Sequence, residues 1–397
     1  MPLTKAFIPY GAYWSTPFAR WQGAIAGQHS VRLAAEVAAE VLAARKIDPL
    51  KIDGVLLGMT VPQRHSFYGA PWLAGMIGIP TATGATIAQA CATSARVLAS
   101  AAAEVELGQR VCVLGVACDR TSNGPHVYYP APSAPGGRGD AEDWVWDNFQ
   151  RDPYAGNAML QTAENVAKAE GITREQQDEV TLLRYEQYAA SLANERAFQR
   201  RYMAPITLRA GKKEIGKLEA DEGVFPTTKD GLAKLKPVAE GGTVTFGSQT
   251  HPADGNAGIV VCTRERAAEL SRDKKVTVQL LSWGEARVDK GMMPTAVVPA
   301  ARAALERAGI GLTDCKAVKT HNPFAVNDVY FSKQTGRAPA DMNRYGSPLV
   351  YGHPQGPTGL RLVAELIEEL AEAGGGYGLF SGCAAGDTAM AVVLKVS

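Results

Sequence analysis

One pattern occurs twice in the chain, and it limits the folds available. Ser30–Ala44 carries Leu33, Val37, Val41 and Leu42 at helical spacing, with Ser30 as the expected N-cap. It runs through Asp48-Pro49 into the short apolar run Val55–Met59. Pro299–Ala308, Gly309, Leu312 and Ala317–Thr320 repeat that helix–turn–strand pattern. Setting Leu50 on Leu312, an offset of 262, also pairs Arg45 with Arg307, Leu98 with Leu360 and Ala102 with Ala364. The same offset sets Cys91 on His353. Each stands just before a helical stretch, Ala92–Leu107 and Pro357–Ala373, and small residues crowd both starts. The identities are few, so the value of the pairing is geometric. Two related halves packed face to face bring two helix starts together, one with a thiol and one with an imidazole.

Between the halves the sequence changes character. Tyr128–Tyr154 is rich in Pro, Gly and aromatic residues and reads as a covering loop. Helical stretches follow at Thr162–Glu170 and Arg174–Ala193, then a polar, Lys-rich segment, Arg200–Lys236, with hairpin-like pieces. Strand signals return at Thr243–Phe246 and Gly258–Cys262. The 397 residues, 46% of them apolar, suffice for two domains or one large α/β unit. The expected division is an N-terminal half over 1–119, an inserted capping region over 120–245, and a remainder over 246–397.

The 41 basic and 40 acidic residues leave a formal charge of +1, which argues against nonspecific nucleic-acid binding. No apolar run reaches the roughly 18 residues needed to span a bilayer. Ala6–Tyr10 is too short for a signal segment, and Lys395-Val396-Ser397 is not a peroxisomal address. Six scattered cysteines without a CxxC pair give neither a disulfide framework nor a zinc spacing. The expectation is a cytoplasmic chain with reduced thiols and no metal.

Four contexts carry chemistry. Cys91 lies in Gln89-Ala90-Cys91-Ala92-Thr93-Ser94, where a helix N-terminus would lower its pKa and favour the thiolate; a buried structural cysteine is the competing reading. His353 lies in Gly352-His353-Pro354-Gln355-Gly356, either a base for a thiol or a surface-loop histidine. Cys383, after Gly374-Gly375-Gly376-Tyr377-Gly378, falls at an expected hairpin tip, as a reactive thiol or a small buried residue. His321 ends an expected strand, where α/β folds place catalytic groups, or serves as a structural cap.

Together these contexts resemble the thiolase superfamily, in its motif order and over almost the whole chain. Met159–Ala167, Ile172–Asp178 and the linker Gly231-Leu232-Ala233-Lys234-Leu235-Lys236-Pro237 add to the likeness. The resemblance implies an α/β thiolase fold, with two duplicated βαβαβαββ halves in five αβαβα layers and an inserted capping domain. It implies an acyltransferase in which Cys91 is acylated, His353 activates it, and Cys383 is the acid/base at the α-carbon. One oxyanion hole would use His321 and a water, and the other the backbone N–H groups of Cys91 and Ala385. Met159, Thr250 and Phe324 would line the acyl and pantetheine channel, although core packing explains them equally well. Coenzyme A would be a substrate, with no permanently bound cofactor. Arg200, Arg201, Lys212 and Lys213 would either meet its phosphates or form a solvated face.

Three departures bear on the acyl pocket. Asn322-Pro323 stands where an acidic and a small residue are usual, Cys383-Ala384-Ala385-Gly386-Asp387 where Cys-x-Gly-Gly-Gly is, and Ala92-Thr93-Ser94 where Gly-Ser-Gly is. With the aromatic loop, they favour a bulkier 3-oxoacyl-CoA, aromatic or branched. Some divergent bacterial thiolases that the chain resembles, such as the benzoylsuccinyl-CoA type, work with a small OB-fold, zinc-binding partner. A homodimer or homotetramer is the family's usual core. Thiolytic cleavage, the reverse condensation of two acyl-CoA units, and non-catalytic acyl-CoA binding are the competing functions.

Overall fold

The computed structural model describes residues 2–211 and 213–397. The first half comprises β1 (Phe7–Ile8), α1 (Ser30–Ala44), β2 (Gly54–Gly58), α2 (Gly69–Ile77), β3 (Thr86–Ile87), α3 (Thr93–Glu106) and β4 (Cys112–Arg120). The chain then leaves the sheet for an insertion holding α4 (Met159–Glu170) and α5 (Arg174–Ser191), and returns as β5 (Ala253–Cys262). The second half comprises β6 (Val278–Arg287), α6 (Val297–Ala308), β7 (Cys315–His321), α7 (Ala325–Thr335), α8 (Thr358–Glu372), β8 (Gly376–Ala384) and β9 (Thr388–Val396).

The duplication is visible in the strand order, β7-β8-β9-β6-β1-β5-β4-β2-β3. Read outward from the antiparallel β6–β1 pair, each half runs through an antiparallel neighbour (β9 or β5) to a parallel pair (β8–β7 or β4–β2). The offset of 262 carries β2 onto β7 and β4 onto β8 to within two residues. The second half has no full counterpart of β3. There the equivalent segment begins at Pro348, which has no N–H to give a ladder, and turns into a short helix, Pro348–Tyr351, instead.

Among the described residues, the three largest apolar clusters fill the spaces between the five layers. Val31, Val37, Val41 and Leu42 of α1 pack with Leu57, Leu114 and Val260 on one outer face; each such burial contributes about 1.5–3 kcal/mol. Ala300, Ala301 and Ala304 of α6 pack with Val318, Leu379 and Val393 on the other. Between the two halves of the sheet lie α3 and α8, whose Ala95, Leu98, Leu360 and Val363 share the central core. The sequence repeat therefore places both helix starts in the middle layer.

Some local expectations change. The residue capping α1 is His29, without a side-chain bond, and Ser30 is buried in the first turn beside Cys118. Thr243–Phe246 forms only a bridge, Pro237 to Thr245, because Thr245 and Ser248 close a turn on each other's backbone N–H. Several rings of the aromatic segment face outward. Tyr128, Trp146 and Tyr154 are 60%, 59% and 70% exposed, and the segment is anchored by Trp144 donating to the Thr60 carbonyl. Among the described residues, no helix is long and apolar enough to cross a membrane.

Candidate active site

Cys91 and His353 occupy equivalent turns. The residue before each takes positive φ, +44° at Ala90 and +90° at Gly352; for an alanine this strain costs about 1–3 kcal/mol. The two helix starts touch. Ser94 Oγ, in the first turn of α3, accepts from the Leu360 N–H of α8 at 3.0 Å. A Cβ on Gly359 would come within 2.9 Å of that oxygen. This close crossing aims both turns at one point.

His321 arrives at the same point from the end of β7. Donor atoms of Cys91, His321 and His353 all lie within 4.8 Å of one another. The two imidazoles are stacked at 4.2 Å between centroids, tilted by 38°. His353 Nδ1 is hydrogen-bonded to Thr358 Oγ1 at 2.7 Å. His353 Nε2 and both ring nitrogens of His321 are buried without a protein partner. Cys383 is fully buried one residue before the end of β8 and receives a hydrogen bond from Asn327 Nδ2 at 3.3 Å. The backbone N–H groups of Ala385 and of Cys91 itself face the Cys91 sulfur.

Burial decides the resting protonation of this cluster. It pushes the Cys91 thiol up to about 12, outweighing the opposing N–H groups of Ala385 and Cys91, while the Asp119 charge adds to the rise. The expected lowering by the helix start is not found, because desolvation of the anion exceeds the pull of the backbone dipoles. His321 is held down to about 3 by burial; His353 is lowered by burial and then by His321. Burial, then the nearness of Cys91, raises Cys383. Neutral thiols therefore face neutral imidazoles.

Of the other expected residues, Met159 and Phe324 pack in the apolar cluster that also holds Cys383. Thr250 lies beside the His353 turn, its hydroxyl donating to the Pro348 carbonyl at 2.6 Å. The neighbouring His251 carbonyl accepts from the His353 N–H. Arg200 pairs with Glu195 on the surface, and Arg201 is committed to Glu368 and Glu372. Lys213 is exposed, and Lys212 lies outside the described residues.

Three side chains escaped the reading of the sequence. Gln355, with φ of +68°, accepts from the Cys91 thiol at 3.1 Å. Asn327 holds Cys383. Asp119 is buried and accepts from Thr60 N, Thr60 Oγ1, Val61 N and Gly356 N. It thus ties the His353 loop to the exit of β2, and burial pushes it up to about 7 against those hydrogen bonds. Gln355 sits in a motif already singled out, which was the one available signal.

Surface clefts of about 300 and 460 Å³ lie against Arg196–Arg200 and between α6 and α7, and none of the cluster residues lines them.

Comparison with known proteins agrees with this geometry. Residues 12–265 match the model of the thiolase N-terminal domain, and 274–396 that of the C-terminal domain. An acetyl-CoA acetyltransferase of Paracoccus denitrificans is 29% identical over 403 residues, 99% of this chain and 100% of the relative. A beta-ketothiolase of Cupriavidus necator is 32% identical over 316 residues, 78% of each chain. The crystal structure of human mitochondrial 3-ketoacyl-CoA thiolase in complex with CoA superposes with a TM-score of 0.91 at 26% identity, over 100% of this chain and 99% of that one. Duplicated halves, paired helix starts and two matched domain models together make the chain a member of the thiolase family and an acyltransferase.

Proposed function

We propose that the chain cleaves a 3-oxoacyl-CoA by thiolysis through an acyl-Cys91 intermediate. The observation that carries this reading is the convergence of Cys91, His321 and His353 within 4.8 Å. In the proposed sequence, His353 Nε2 takes the Cys91 proton as the sulfur attacks the 3-oxo carbon. The bond between C2 and C3 then breaks. Cys383 gives its proton to the departing α-carbon, acetyl-CoA leaves, and the acyl group, shortened by two carbons, stays on Cys91 as a thioester. The imidazolium's proton restores the Cys383 thiol; the neutral imidazole then takes the CoA thiol proton as CoA attacks the acyl group, and returns it to the departing Cys91 sulfur. The Ala385 and Cys91 N–H groups would stabilise the oxyanion on the Cys91 side, and His321 with a water the enolate oxygen.

CoA is bound in the human relative's structure, and here it would be a substrate without a resident cofactor. Met159, Thr250 and Phe324 would border its channel, and residues 120–245 would form the cap between the halves at 1–119 and 246–397. The same groups serve condensation in reverse. The acyl group proposed is bulky, branched or aromatic, on the strength of the Asn322-Pro323 departure. A homodimeric or homotetrameric core with a small OB-fold, zinc-binding subunit belongs to the proposal. Co-purification at native stoichiometry tests it, and full activity on acetoacetyl-CoA without a partner contradicts it.

A thiolysis screen of short, branched and aromatic 3-oxoacyl-CoA substrates tests the function. Cleavage in the native protein and none in Cys91→Ser is expected. No cleavage of any substrate, with tight acyl-CoA binding, would favour a binding protein.

A further inference from the structure

The buried, unpartnered nitrogens beside Cys91 have a ligand chemistry of their own. A polar atom removed from water without a partner is costly, and native interiors keep few of them. Here three ring nitrogens, two on His321 and Nε2 of His353, are orphaned around one thiol. Both histidines are at least 97% buried, His321 at 1% exposure and His353 at 3%. Cys91 is only partly buried, so the cluster is reached from its side.

We propose that Cys91, His321 and His353 form a binding site for one thiophilic divalent cation of the zinc class, whose occupancy blocks acyl transfer. Thiolate and imidazole donors suit Zn²⁺, Co²⁺ and Cd²⁺ and disfavour Mg²⁺ and Ca²⁺. Tetrahedral zinc with bonds of about 2.0–2.3 Å sets its donors roughly 3.3–3.7 Å apart. The donor atoms here, within 4.8 Å of one another, reach that geometry by small side-chain rotations. The fourth position is left to water, as in three-ligand zinc sites.

The balance is simple. The cation enters as M²⁺, the Cys91 S–H bond breaks, one M–S and two M–N bonds form, and one proton leaves to solvent. An imidazole binds metal through the lone pair of its neutral form, so at pH 8 the two rings release no proton on binding. A sulfur bonded to metal cannot attack an acyl carbon, and His353 with its Nε2 occupied cannot accept a proton. Cation and acyl-CoA therefore exclude each other. His321 separates this site from simple metal capture by one reactive thiol.

The test is calorimetric titration of the reduced, metal-free full chain with ZnCl₂, in two buffers of different ionisation enthalpy. One ion per chain and one proton released per ion are expected. Cys91→Ser and His321→Asn should each weaken binding by at least about tenfold, and MgCl₂ should give no heat. With CoCl₂ the native chain should develop the visible spectrum of a tetrahedral thiolate–imidazole complex, a readout independent of the stability of any variant. Unchanged affinity in His321→Asn, or an octahedral cobalt spectrum, overturns the proposal. No acyl substrate is involved, so failure here leaves the thiolase reading untouched.

Discussion

At the residue scale the site depends on burial more than on dipoles. Cys91 and its motif were legible in the sequence, but its protonation state was not. A helix start favours a thiolate, whereas desolvation is set by residues far along the chain. Alkylation of Cys91 in the free protein should therefore keep rising with pH beyond 9, without a plateau near neutrality; measuring iodoacetamide rates against pH would reveal a thiolate–imidazolium pair as an acid plateau. The histidines give a stability prediction. A group whose folded pKa lies below its unfolded value lets the unfolded chain bind the extra proton, so stability falls as pH drops through the unfolded pKa. For His321, at about 3, that window runs from about 6.5 downward. Replacing it with Asn should remove about 2 kcal/mol of the stability lost between pH 6.5 and 5, measured by urea denaturation at each pH. Asp119 works in the opposite direction, since its raised pKa favours the folded state at lower pH.

At the scale of elements, α3 and α8 matter through the contact of their first turns. Ser94 satisfies an N–H that α8 cannot satisfy within itself. Ser94→Ala should cost about 1 kcal/mol, and Gly359→Ala about 1–3 kcal/mol by forcing the helices apart. Thermal melts check both, and a neutral Gly359→Ala would show that the crossing is loose. Both helices were legible from apolar spacing and from the repeat. The charged face of α8 was not. Arg361, Glu365 and Glu368 are charged, yet all three are fully buried. Arg361 is paired in bidentate fashion with Asp221 at 2.6 and 2.8 Å. Glu368 accepts from Tyr10, Tyr13, Arg201 and Arg272. Partners 96 or more residues away leave no local pattern. For the same reason Arg201, read as a phosphate contact or part of a solvated face, proves to be a strut.

At the scale of the whole molecule, the duplicated halves supply the site and the insertion holds them. Asp221 reaches α8 from the inserted region, so Asp221→Ala leaves the buried Arg361 with Glu365 alone and should cost about 3 kcal/mol. A loss below about 1 kcal/mol in equilibrium unfolding would mean that the insertion is not load-sharing with the core. The architecture followed from the repeat because sheet order, parallel pairs and middle-layer helices obey the same offset. The acyl group did not follow, because Asn322 is drawn into a buried hydrogen bond to Asp328 rather than left free to advertise a pocket. The central claim, a covalent relay on Cys91, is tested most directly by peptide mass spectrometry after brief exposure to a cleavable 3-oxoacyl-CoA. The account predicts an acyl thioester on the Cys91 peptide that disappears when CoA is added. An adduct confined to Cys383, or an unmodified Cys91 during turnover, would contradict it.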